Sequence, residues 1–206
     1  MTPTLQSRWL ALCSQAGFDG PARWTKLAGA YGDPARAYHN LTHVADCLRL
    51  FDEYAHLAGD PMAMELAIWF HDIVYDTHAH DNEERSAEVA ADFLSGTGLG
   101  PVVADLILAT RHDGQPASPD ASLVCDIDLA ILGSDPGIYD SYAQAIRREY
   151  EWVPVADYAN SRIRVLESFL GRPSVYSSIQ MGNRFGDLAR VNLAREIASL
   201  AVLVGK

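Results

Sequence analysis

Apolar residues recur at intervals of three and four through most of the chain. Leu41, Val44, Leu48, Phe51 and Ala55 share one stripe; Ile163, Leu166 and Leu170 share another; Leu188, Val191, Leu193 and Ile197 form a third. This spacing predicts amphipathic α-helices with one face turned to a core. Alternation with period two is absent apart from a brief apolar stretch from Ser122 to Cys125. Start signals agree with the periodicity. Pro21, Pro61, Pro101, Pro136 and Pro154 stand where a first helical turn would open, a position that does not need the missing N–H. Asp60 and Asp135 are natural N-caps, and Asp81 with Glu84 is compatible with a capping-box variant. The expectation is an all-α fold of about eight to ten helices, each of roughly 10–20 residues.

Two stretches read as irregular: 111–122, with Gly114, Pro116 and Pro119, and 171–186, with Arg172, Pro173, Asn183 and Arg184. Neither resembles a long linker, and no repeat or low-complexity tract occurs. At 206 residues the chain fits one domain, with a core at about 36–133 and C-terminal helices over 136–206 packed on it.

Charge narrows the partners. A net charge of −11 speaks against binding a nucleic-acid polymer, which relies on Lys and Arg against phosphates, but leaves room for a small anion held by local cations or a metal. Cys13, Cys47 and Cys125 are scattered and lack a CxxC pattern, as reduced cytosolic thiols are. The N-terminal sequence lacks a signal-peptide pattern, and no apolar run approaches the roughly 20 residues of a membrane span. The expectation is a soluble cytoplasmic protein with no membrane partner. A homodimer is compatible with the sequence, and nothing in it specifies one.

The most informative segment is Phe70-His71-Asp72-Ile73-Val74-Tyr75-Asp76, preceded by Tyr38-His39-Asn40-Leu41-Thr42-His43. A His-Asp pair inside an apolar stretch calls for a partner or a metal, because burying either charge alone is costly. With residues 66–74 read as a buried helix, His71 and Asp72 would lean toward one flank and His43 would come from a neighbouring helix. The fourth ligand is expected from Cys125-Asp126-Ile127-Asp128, where either Asp126 or Asp128 is available. Two nitrogens and two oxygens suit a divalent transition ion (Mn, Fe, Co, Ni or Zn, with Mg admitted) better than calcium.

These residues resemble the HD superfamily of metal-dependent phosphohydrolases, whose pattern is a His, a distant His-Asp doublet and a final Asp near a later helix. The resemblance covers about His39 to Gly133. With Asn-Glu-x-x-Ser-Ala and Asp-x-Asp-Leu included, it is similar to a bacterial subgroup of predicted HD phosphohydrolases. It implies metal ligation by His43, His71, Asp72 and a last Asp. That family's Asp precedes an apolar helix, which favours Asp128 over Asp126. The run from His71 to Asp76 is also similar to the His-Asp-x-x-Glu-Asp motif of hydrolases acting on guanosine tetraphosphate, with Tyr75 in place of the Glu.

The implied reaction is hydrolysis of a phosphate ester or anhydride in a small nucleotide-like molecule, with one ion rather than two. Asp76, four residues after Asp72, would share its face on a continued helix and orient water. Glu83 is a candidate general acid or base, and Asn82 a candidate substrate contact. His112 matches a region that contacts phosphate in HD relatives, and His39 is placed to approach the same cleft. Arg111 and Arg147, with Arg148, Arg162 and Arg184, are candidate phosphate-binding cations. Trp69 and Phe70 are expected in the core, and His56, His78 and His80 at the surface. Two rival readings stand beside this one: an HD-fold di-iron oxygenase, which would draw on His39 and His112, and a metal-containing binding or regulatory module without turnover.

Overall fold

Thr4 accepts a hydrogen bond from the Ser7 N–H at 3.1 Å and opens α1 (Leu5–Ala16), which Gly17 closes in the left-handed conformation at φ 80°. The computed structural model describes residues 4–205. Nine more helices follow among them: α2 (Gly20–Tyr31), α3 (Leu41–Tyr54), α4 (Pro61–Phe70), α5 (Asn82–Phe93), α6 (Gly100–Ala109), α7 (Pro119–Asp128), α8 (Pro136–Glu149), α9 (Val155–Leu170) and α10 (Ile179–Leu203). Short 3-10 stretches occupy Ala55–Leu57 and Leu129–Gly133, and no strand occurs among the described residues. The all-α expectation holds.

The chain forms two compact units, one reaching to Val124 and the other starting at Cys125. In the first, α4 is packed by α3, α5 and α6, and α1 lies along α2. Ala63, Met64, Leu66, Ala67, Ile68, Trp69 and Phe70 of α4 are all buried, so the helix is apolar on every side. Rings from separate elements close around it. Trp9 meets Trp69 at 5.4 Å and Phe93 at 5.8 Å, and Phe70 meets Phe93 at 4.9 Å. Each buried large apolar side chain contributes about 1.5–3 kcal/mol, which makes the end of α4 a fixed point from which a site can be hung. Its start is fixed too. Asp60 caps it from the Ala63 N–H at 2.9 Å, and Asp120 of α7 accepts from the N–H groups of Gly59 and Asp60 at 2.8 and 2.9 Å.

In the second unit, α10 packs on α8, α9 and the Leu129–Gly133 turn. A Cβ on Gly133 would meet the Phe185 backbone oxygen at 2.5 Å, so only glycine permits this approach. Buried Asn192 donates to the carbonyls of Leu132 at 3.0 Å and Ser134 at 2.8 Å. Arg162 pairs with Glu196 at 2.9 Å, and Tyr139 donates to the same carboxylate.

Several boundaries depart from expectation. Helix α4 stops at Phe70, so His71 to Asp76 lie beyond it and Asp76 does not share a helical face with Asp72. Pro119 opens α7, which absorbs the apolar stretch 122–125, and Ser178 caps α10, which therefore takes in 179–186, the second half of the 171–186 stretch. Pro154 is the N-cap of α9 rather than its first residue. Asp81 precedes α5 without a side-chain cap, and the Glu84 side chain pairs with Arg111. On α10 the buried face carries Met181, Ala189, Asn192, Leu193 and Leu200, leaving Leu188 and Val191 exposed.

Candidate metal centre

Two chain segments build the centre within the first unit. The first runs into α3. Asn40 accepts from the Thr42 N–H at 2.8 Å, and its amide donates to the carbonyls of Arg36 and Ala37 at 3.2 and 3.3 Å. This cap starts α3 at Leu41 and places His43 in its first turn, where only 4% of the residue is exposed. Tyr38 lies 4.7 Å from the His43 ring, and the Cys47 sulfur 3.7 Å from its Nδ1.

The second segment is the end of α4. His71 continues the helical hydrogen bonding to Ala67 at 2.8 Å, and its Nδ1 lies 2.9 Å from the Ile68 carbonyl. A carbonyl can only accept, so Nδ1 carries the proton. In the neutral ring this leaves Nε2 as a lone-pair donor. That atom sits 3.1 Å from Nε2 of His43. Asp72 follows in the turn, with Oδ2 3.0 Å from His71 Nε2 and 3.7 Å from His43 Nε2.

This Oδ2 is buried and has no hydrogen-bond partner. Two imidazole nitrogens and a carboxylate oxygen therefore converge on one point. In the neutral ring His71 Nε2 and the Asp72 carboxylate oxygen are both acceptors, and a shared cation or proton satisfies them together. Nitrogen and oxygen donors of this kind suit a divalent transition ion, and a main-chain carbonyl holding the remote ring nitrogen is the usual support of a metal-binding histidine. The group could hold a metal ion. Burial pushes the Asp72 carboxyl up, but the imidazoles of His71, His39 and His43 outweigh it and hold the group well below the usual carboxylate range.

The other expected site residues divide. His39 stacks on Tyr75 at 4.0 Å and meets the His43 ring edge-on at 6.0 Å. Glu83 lies in the first turn of α5, its carboxyl pushed up by burial and by the charge of Asp72. Asp76 is exposed. It accepts from the His78 N–H at 2.9 Å, which lowers its pKa, and Asn82 clasps its backbone with two 3.0 Å bonds. Together Asp76 and Asn82 tie the 76–82 loop closed. Arg111 is bound by Glu84 and Asp113, and next to it His112 holds a left-handed φ of 58°, the one positive value at a non-glycine among the described residues.

In the second unit, Arg147 donates to the carbonyls of Tyr150 and Val153 and lies over the Tyr158 ring, closing the end of α8. Asp126 is buried, and its two oxygens accept from Ser177 and Ser178 N–H at 2.7 Å each, so its carboxylate tethers the start of α10. Asp128, half-buried, is the last residue of α7.

Two further residues hold the centre's backbone: Ser86, which in the sequence is legible only as the Ser of the Asn-Glu-x-x-Ser-Ala match, and Arg36, which no motif contains. Buried Ser86 accepts from the Val74 N–H at 3.1 Å and donates to the Val74 carbonyl at 3.3 Å, pinning the turn after Asp72. Arg36 is 9% exposed and donates to the carbonyls of His39, Asp72 and Ile73. The only trace of its role in the sequence is a charge set among Tyr31, Ala35, Ala37 and Tyr38.

Comparison of the chain with models of known families, with curated proteins and with solved structures finds no match. Among the described residues, no helix is long and apolar enough to cross a membrane.

Proposed function

We propose that this protein is a metal-dependent phosphohydrolase of the HD type, cleaving a phosphate ester or anhydride of a small nucleotide-like molecule. One observation carries the reading: the approach of Nε2 of His43, Nε2 of His71 and Oδ2 of Asp72 to within 3.7 Å of one another. Asp128 is the fourth ligand in this reading, because it is the last Asp that the HD resemblance favours. Asp126 is set aside because both of its oxygens already take backbone N–H groups.

A divalent ion bound there would acidify water and polarise a phosphoryl oxygen. The chain's own residues supply the rest. Glu83, whose carboxyl holds its proton more tightly than usual, is suited to protonate a leaving oxygen. The stacked His39 and Tyr75 form an aromatic wall beside the ligands. Asp76, Asn82 and Arg147 serve the backbone instead, and Arg111 is largely neutralised by Glu84 and Asp113.

The test is phosphate release from a panel of nucleotides and sugar phosphates with manganese, cobalt, nickel, magnesium or zinc supplied in turn. Metal-dependent release that Asp72→Asn abolishes is the expected result. Bound metal without release from any compound overturns the reading, and two irons with oxygen uptake would replace it by an oxygenase.

A further inference from the structure

We propose that Arg36 is the positioning residue of the metal centre. Its guanidinium cross-links the backbone leading to His43 with the backbone carrying His71 and Asp72. The inference rests on the metal-centre reading above, and it concerns a residue outside the ligand set. His43 and the His71–Asp72 pair come from separate chain segments, so their separation depends on what joins those segments. One nitrogen of Arg36 donates to the His39 carbonyl at 3.2 Å and to the Asp72 carbonyl at 2.6 Å. The other donates to the Ile73 carbonyl at 3.0 Å. The guanidinium also lies over the ring of Tyr31 at 5.3 Å and over that of Tyr75 at 5.6 Å, and Tyr75 carries the His39 stack.

Only a guanidinium can do this. Its donors diverge in one plane, so two adjacent carbonyls and a third from another segment are reached at once while both faces stay free for aromatic rings. A lysine ammonium would keep the charge but reach fewer of these partners and stack on neither ring. The tolerance of a metal site is narrow: ligand distances hold to within about 0.2 Å, so a small relaxation of the Asp72 turn away from α3 is felt directly in affinity.

The test uses the full-length protein with Arg36→Met and Arg36→Lys. Cobalt affinity is measured by calorimetry, and the ring nitrogens of His43 and His71 are followed by long-range 1H–15N NMR in metal-free protein. We expect Arg36→Met to weaken cobalt binding by about 10- to 100-fold, the scale for residues that orient ligands. Arg36→Lys should weaken it nearly as much, and both ring signals should shift. A purely structural role predicts a lower melting temperature with unchanged affinity and ring signals in the folded protein, and that result overturns the proposal. Should Arg36→Met fail to fold, wild-type affinity and ring signals in Arg36→Lys would overturn it alone. Should the wild type bind no cobalt, the metal reading falls separately. Arg36 is then judged on the ring signals: shifts in the variants uphold the positioning of the imidazoles, and unshifted signals overturn it.

Discussion

The ring of His71 donates from Nδ1 to the main-chain oxygen of Ile68, three residues before it, across 2.9 Å. The bond closes the C-terminal end of α4, where Leu66, Ala67, Ile68, Trp69 and Phe70 are all buried, so the ring is oriented by the core itself. The expected consequence is a His71 ring that carries a proton on Nδ1. Long-range 1H–15N correlation on metal-free protein at neutral pH reads this directly. A ring carrying its proton on Nε2 would contradict the assignment and remove the lone pair the centre needs.

Acid should weaken the metal-free protein through Asp72. Burial disfavours its charge, but His71, His39 and His43 more than offset this, and the folded carboxyl lies well below its unfolded value near 4. A depressed carboxylate stabilises the fold above its unfolded pKa, and that contribution drains away as pH falls. Between pH 5 and pH 3 the wild type should therefore lose on the order of 1 kcal/mol more than Asp72→Asn, measured by urea unfolding. Parallel losses in the two proteins would show that the carboxylate is not held by its imidazole neighbours.

The two acids of the Cys125–Asp128 run should respond in opposite ways. Asp126 takes two backbone N–H groups at the start of α10, and bonds to a charged, buried group are worth about 1.5–3 kcal/mol each. Asp126→Ala should lower stability by about 3 kcal/mol or more. Asp128→Asn should show its effect in metal affinity, which it is expected to lower. Thermal melts and calorimetry on both variants decide it, and the reverse pattern would reassign the ligand.

Helices were legible where a local signal coincided with the apolar period. Asp60-Pro61 marks the start of α4, and Trp69 and Phe70 lie fully in the core as their surroundings imply. The end of α4 was not legible. Ile73 is buried like a helical core residue while lying in a turn, so the apolar run continues where the helix does not. Pro119 reads as loop in the sequence because a proline that opens a helix looks the same as one that prevents it. His43, His71 and Asp72 could be named because ligand types and their order are written in the residues. Arg36 could not. Its partners are main-chain carbonyls, which every residue possesses, so nothing in the sequence pairs with it.

The clasp of Asp120 on Gly59 and Asp60 has a temporal side. The carboxylate lies 60 and 61 residues downstream of the two N–H groups it holds. A ribosome finishes α4 well before it reaches that aspartate. The newborn helix thus leaves with its own Asp60 cap alone, and the loop before it is secured only after α5 and α6 have been synthesised. The anchorage of the helix that carries His71 is completed from behind, by a residue made later.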